Sequence, residues 1–221
     1  MSKRRKFSEN IQRFGRSLLL PIAVMAPVGM VLGLTGALVQ GYMIERVPFL
    51  GNETLQTILV GLRSIADVIF GNIPVLFAMG VAYGVSRKEK GIAVFSSIIS
   101  YLILNATINV WLKATGNLAP AEEMAQVGQG MVLGIQTLRL DVLGGIISGL
   151  LAARMADKYS EKQLPIAFAF FSGIKFVPII TIAATIVVGL IIPFFWQFVT
   201  KGLISMSSLI LNGYVGVFLN I

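Results

Sequence analysis

The chain has 221 residues, 56% of them hydrophobic and 13% charged, with a mean hydropathy of +0.83, whereas soluble domains carry roughly 45–50% apolar and about 25% charged residues. It carries a formal net charge of +8 and contains neither histidine nor cysteine. This composition marks an integral membrane protein and excludes disulfides, ordinary zinc, haem or iron–sulfur sites, and a phosphohistidine or phosphocysteine on the chain itself.

Residues 1–16 read as a basic amphipathic segment on the cytoplasmic side. Phe7, Ile11, Phe14 and Leu18 recur at helical spacing, with Gln12, Arg13 and Arg16 elsewhere around the helix. A disordered basic tail fits residues 1–6 equally well. The apolar run that follows far exceeds the roughly 7–15 residues of a signal-peptide core, so it is read as a retained first helix. That run, Ser17 to Ile44, carries no charge, although Pro21, Pro27, Gly29, Gly33 and Gly36 loosen it; such residues are tolerated where neighbouring helices satisfy the freed backbone.

A second crossing lies between Thr54 and Ser86, broken internally at Asn72-Ile73-Pro74, and Arg63 and Asp67, four apart, are placed to pair on one helix face. Gly91 to Leu112 forms the third crossing. Val142 to Ala153 is short and borrows length from the Arg139–Asp141 side. Phe176 to Thr200 is charge-free over 25 residues, and Gly202 to Ile221 is again apolar. The expected fold is all-α and polytopic, with about five to six transmembrane helices at ~20 residues each, five of them secure. A re-entrant turn is expected near 163–178.

Charge sets the orientation. Lys3, Arg4, Arg5, Lys6, Arg13 and Arg16 precede the first span, Arg87, Lys88 and Lys90 follow the second, and Arg154, Lys158 and Lys162 follow the fourth. All twelve fall on one side, which is then cytoplasmic together with the N-terminus. The basic residues gather beside apolar runs and not over a polar face with interleaved aromatics, so nucleic acid is not an expected partner.

Inside the spans, Gly29 and Gly33, Gly80 and Gly84, and Gly145 and Gly149 have the four-residue spacing that lets helices approach closely or dimerise, a spacing that also arises by chance in glycine-rich membrane helices. Asn105 and Asn109, with Thr107, serve either as hydrogen-bonding glue between helices or as the lining of a polar path. Lys175 interrupts an otherwise uncharged stretch between Gly173 and Pro178. It either faces water, a partner or an anionic ligand, or snorkels to headgroups from the interface. No metal site and no cofactor is expected.

Gly71-Asn72-Ile73-Pro74-Val75-Leu76-Phe77-Ala78-Met79-Gly80-Val81-Ala82-Tyr83-Gly84 resembles the N-x-P-x-x-F-A-x-G-x-A-x-G stretch of the membrane component, enzyme IIC, of bacterial sugar phosphotransferase systems of the glucose/maltose type. Phe14 to Pro21 is similar to that family's opening, as are Leu143 to Ala153, and Leu164-Pro165 with Phe171 to Ile179. The matches keep family order from about residue 8 onward. The segments Val47 to Asn52 and Leu133 to Leu138 look more like maltose and α-glucoside members than glucose members.

The resemblance implies a multi-pass protein of the bacterial cytoplasmic (inner) membrane that takes glucose, maltose or another α-glucoside across. The IIB and IIA phosphocarriers would supply the phosphate. It makes Lys175 and Asn72 candidate substrate-path residues, and it implies a homodimer built through residues 17–221 as the N-terminal scaffold part of a IIC domain. The family's sugar-binding half, with its G-I-T-E-P-type loop and histidine motif, has no counterpart here. A complementary C-terminal half of IIC is therefore an expected partner, and whether the chain acts as part of a sugar phosphotransferase stays open. A truncated inactive remnant, or a dimerising membrane scaffold without transport of its own, is the alternative. Two departures from the family pattern stand out. Ile174-Lys175 replaces a Lys-Arg pair, and Leu138-Arg139-Leu140-Asp141 replaces L-D-T-G, with Arg139 and Asp141 two apart and so facing different directions on a helix.

Overall fold

A computed structural model describes residues 3–218. The first two residues and the last three, which belong to the expected basic tail and to the final apolar stretch Gly202–Ile221, lie outside the described residues. The described residues fold as seven α-helices, α1 to α7, joined by turns, 3₁₀ helices and one β-hairpin.

α1 runs from Lys3 to Leu38 with Pro21 and Pro27 inside it. It passes residue 16 without a break, so the amphipathic segment is the first part of the spanning helix and not a separate in-plane helix. The charge-free run ends as a helix at Leu38, six residues early, and a short α2 (Gly41–Arg46) and a 3₁₀ turn at Pro48–Gly51 follow. Asn52 starts α3 (Glu53–Gly71) by accepting the Leu55 N–H at 3.1 Å, which satisfies one of the orphan donors of the first turn.

The helical ladder stops at Asn72 and restarts as α4 (Ile73–Val85), with Pro74 in the first turn, where its missing N–H leaves no bond unmade. Together α3 and α4 run antiparallel to α1. Gln56 Nε2 reaches Leu38 O near one end, and Gly80 and Gly84 lie against Pro21 and Ser17 near the other. α5 (Lys90–Ala114) returns, α6 (Asp141–Tyr159) runs back beside α4, and α7 (Phe176–Phe218) runs parallel to α5.

Four stretches, Ser8–Leu38, Glu53–Gly71, Lys90–Ala114 and Gly173–Trp196, are long and apolar enough to cross a membrane. α4 is shorter, and α6, with 19 residues, is about 27 Å long at ~1.5 Å per residue, close to the ~30 Å hydrocarbon thickness. The span expected around Val142–Ala153 gains its length toward Tyr159 and not toward Arg139. Asp141 has φ +45°, which an α-helix does not admit, so the helix extends only the other way.

The hairpin, β1 (Gln129–Val132) paired with β2 (Ile135–Leu138), adds a small strand element to a fold expected to be all-α. Leu133 and Gly134 form its two-residue loop with φ of +50° and +80°, the left-handed pair that suits a tight hairpin. It caps the bundle where α5 ends and α6 begins; this is the hairpin end, and the opposite one, where Arg87, Arg154 and Lys158 lie, is the basic end.

Two features bind the layers. Leu104, Ile108 and Leu112 of α5 pack with Leu138 and Leu140, while Ala82, Ala93, Ala156 and Val177 fill the basic end with small side chains. A polar seam joins α5 to α7. Thr181 donates to Val177 O and Thr185 to Thr181 O, each at 2.7 Å, so the 2.8 Å contact between Ser100 Oγ and Thr185 Oγ1 has Ser100 as donor. In a bilayer, where lipid competes equally for apolar contact, such small residues and hydroxyl bridges carry helix association.

Candidate functional site

At the hairpin end a pocket of about 370 Å³ opens between the α3–α4 break, α5 and the hairpin. Its polar lining comes from Asn72, Tyr101, Gln129, Arg139 and Asp141. Asn72 sits at the helix break beside the pocket, and its Nδ2 donates back to Val68 O at 2.7 Å, capping the last turn of α3. Arg139 and Asp141 meet at 3.6 Å. This corrects the expectation that they face apart, because Arg139 precedes the helix and the left-handed backbone of Asp141 brings the carboxylate round.

The wall behind them is held by amides. Gln129 Oε1 accepts from the Ala119 N–H and from Gln136 Nε2, each at 3.1 Å, and Gln129 Nε2 donates to Asn117 O at 2.7 Å. Asn109 Nδ2 ties Gln136 O to α5 at 2.7 Å, while Asn105 Nδ2 donates to Tyr101 O one turn back at 2.8 Å. Asn109 thus fastens the hairpin to the bundle, and Asn105 is satisfied within its own helix. The pocket combines an amide, a guanidinium, a carboxylate and an aromatic edge, a set that hydrogen-bonds hydroxyl groups and offers no nucleophile–base pair. No group of three or more metal-ligating side chains occurs among the described residues.

Lys175 lies at the other end. It closes a 3₁₀ turn (Gly173–Lys175) just before α7, is exposed, and holds its Nζ 4.2 Å from the centre of the Phe170 ring. Residues 163–175 form two 3₁₀ turns tied at their base by Gly173 N–H to Lys162 O at 2.9 Å and Leu164 N–H to Ser172 Oγ at 3.0 Å. Ile166, Phe168 and Phe170 stand out from them. Asn72 and Lys175 are therefore not brought together; about the length of α6 separates them.

The glycines divide into two groups. A Cβ on Gly80 would lie 2.6 Å from Pro21 Cγ, and one on Gly149 would lie 2.6 Å from Ala78 O, with Gly84 closed by Ser17 and Gly145 by Pro74 O. These four set α4 against α1 and α6. Gly29 and Gly33 have nothing within 4 Å. Arg63 and Asp67 are exposed on α3; the ion pairs recorded among the described residues are Lys88–Glu161 and Arg139–Asp141, so the expected pairing along α3 does not form.

The family described as Phosphotransferase system, EIIC, matches residues 15–221. The chain belongs to the EIIC family. The PTS system maltose-specific EIICB component of Escherichia coli (strain K12) is 32% identical over 204 residues, covering 91% of this chain and 38% of that protein. The EIIC chain thus spans less than two fifths of the curated relative it matches. In this EIIC chain the glycine-rich stretch 71–84 forms the broken helix and the tightly packed face of α4, so the residues that carried the resemblance are those that fix the bundle. No sequence motif marks Tyr101, Gln129, Arg139 and Asp141 as residues of one site. The sequence carries one weak signal, Gly134 at the turn ahead of Ile135 and Thr137, which suits a hairpin but does not place it beside Asn72.

Proposed function

We propose that this EIIC chain is the scaffold part of a sugar-translocating phosphotransferase component of a bacterial inner membrane, acting on glucose, maltose or a related α-glucoside. The carrying observation is the family match over residues 15–221, joined to a bundle in which glycine contacts lock α4 against α1 and α6. The basic end faces the cytoplasm, because the clustered Lys and Arg residues of α1, the α4–α5 turn and the α6 C-terminus all meet there. IIB and IIA phosphocarriers then act from that side, and Lys175 stands at the exit of the path while Asn72 stands near its entry.

Gly29 and Gly33, bare of neighbours on α1, are the packing face offered to a second copy. Arg63 and Asp67 on α3 need protein or water around them, because charge facing hydrocarbon is expensive. A complementary C-terminal half of IIC supplies that cover and the sugar site proper. The test is uptake of labelled maltose and glucose in cells lacking their own maltose and glucose EIIC proteins, with this chain and a complementary half expressed together. Phosphoenolpyruvate-dependent accumulation that requires both pieces supports the reading; accumulation from the complementary half alone, or none with both inserted, rejects it.

A further inference from the structure

At the basic end a cleft of about 700 Å³ lies between α1 and α6, above the end of α4. α1 and α6 pack on different faces of α4, through Gly80 and Gly84 on one and through Pro74, Ala78 and Val81 on the other, which leaves a lateral opening between them. Arg13, Arg87, Lys88, Arg154 and Lys158 line the cleft, and its one acid is Asp157.

Asp157 offsets only one of these five positive charges. Its Oδ1 accepts from Ser86 Oγ at 3.1 Å and from the backbone N–H groups of Arg87 at 2.7 Å and Lys88 at 3.1 Å, so it serves to close the α4–α5 turn. Lys88 is paired with Glu161 at 2.7 Å, and Arg87 donates to Asn10 Oδ1 at 2.6 Å. Arg13, Arg154 and Lys158 have no acidic partner among the described residues.

Below this rim the walls are apolar: Phe14 from α1, Val85 from α4 and Leu150 from α6. Leu143, two turns before Leu150 on the same face of α6, is also exposed, so the apolar track continues along the bundle. A cationic rim over an apolar track fits one chemistry closely, an anion carrying hydrocarbon. A free sugar phosphate would leave Phe14 and Leu150 against water, and an acidic protein surface would leave the track unfilled.

We propose that this cleft binds an anionic phospholipid, with the phosphodiester between Arg13, Arg154 and Lys158 and an acyl chain along Phe14, Leu150 and Leu143. The site makes α1 and α6 share a ligand although neither packs on the other there. It is independent of the sugar-transport reading, since it requires only that the chain sit in a bilayer. Attraction of this kind amounts to about 1 kcal/mol per cation near the membrane surface, so removing two cations weakens binding roughly thirtyfold.

The test is native mass spectrometry of the full chain in neutral detergent, titrated with phosphatidylglycerol and with phosphatidylcholine of the same acyl chains. The expected result is retention of one phosphatidylglycerol at least tenfold more tightly than phosphatidylcholine, no displacement by millimolar inorganic phosphate, and a roughly thirtyfold loss in R13Q/R154Q. Phosphatidylcholine retention and helical circular dichroism serve as the folding controls and stay unchanged. K90Q/K162Q removes the same charge from the same end outside the cleft and is expected to change affinity less than twofold.

Equal retention of the two lipids overturns the proposal, as does an undiminished affinity in R13Q/R154Q. An equal loss in K90Q/K162Q overturns it as well, because the effect is then the general charge of this end. Displacement by inorganic phosphate assigns the rim to a free anion. Loss of lipid upon adding an acidic phosphocarrier domain, with that domain's binding abolished by R13Q/R154Q, assigns it to a protein.

Discussion

Replacing Gly149 with alanine adds one methyl group where α6 touches α4. The new carbon would lie 2.6 Å from Ala78 O and 2.9 Å from Val81 Cβ, against an ordinary carbon–oxygen separation of about 3.3 Å. The helices must then part by about 0.7 Å near this contact. Backbone oxygen cannot rotate away as a side chain does, and the same interface is closed one turn earlier by Gly145 against Pro74 O. Overpacking of this kind destabilises by typically 1–3 kcal/mol per site. Alanine is the better helix former by ~1 kcal/mol in water, but helices already formed in a bilayer gain little from that. The double variant G145A/G149A is thus expected to lose about 2–5 kcal/mol, counting the two neighbouring contacts as partly shared. Gly29 and Gly33 supply the comparison, since nothing lies within 4 Å of either position; G29A/G33A is expected to match the parent chain as a monomer. Thermal unfolding in detergent, followed by loss of the monodisperse chromatographic peak, measures both. A G145A/G149A chain that melts with the parent, or a G29A/G33A monomer that melts as early as G145A/G149A, would refute the assignment of α4–α6 as the tight interface.

Other expectations follow from single contacts. D157A leaves three donors at the α4–α5 turn without their acceptor and should lower stability by about 1–3 kcal/mol, with faster protease cleavage between residues 85 and 90; unchanged cleavage would show that the turn does not depend on it. S100A and T185V, combined in a double-mutant cycle, should couple by about 0.6 kcal/mol, the average for hydroxyl bridges between membrane helices, and a coupling indistinguishable from zero would remove the bridge from the account. Q129L breaks the amide network that holds residues 117–119 to the hairpin. Amide exchange should then accelerate across residues 115–138 while α4 and α6 stay protected.

The crossings were legible because charge-free runs of about 20 residues have few alternatives in water. The break at Asn72 was legible in Asn72-Ile73-Pro74 taken together, an amide able to bond back to Val68 O followed by a proline suited to a first helical turn, whereas Pro21 and Pro27 leave α1 unbroken. What stayed hidden depended on neighbours distant in sequence. The hairpin lies outside the apolar runs, and Leu133 and Gly134 carry its signal in two positions only. The shortness of Val142 to Ala153 suggests a helix that includes Arg139 and Asp141, whereas a positive φ at Asp141 puts the helix start beyond Arg139 and makes both residues part of the pocket wall. For the glycines, spacing alone could not tell Gly145 and Gly149, which meet α4, from Gly29 and Gly33, which meet nothing in the chain. The Arg63–Asp67 spacing permitted a pair, but an i, i+4 pair contributes only a few tenths of a kcal/mol, too little to fix two exposed side chains.

The role proposed for this EIIC chain is to support sugar phosphorylation from its basic end. Membrane vesicles containing the chain and a complementary C-terminal half, prepared in both orientations, can be given phosphoenolpyruvate, the soluble phosphocarriers and labelled maltose or glucose. Phosphorylated sugar should form when the carriers have access to the face bearing a cysteine-substituted Lys162, located with a membrane-impermeant thiol reagent in this otherwise cysteine-free chain. Absence of phosphosugar in both orientations, or its formation only when the carriers reach the hairpin end, would contradict the claim.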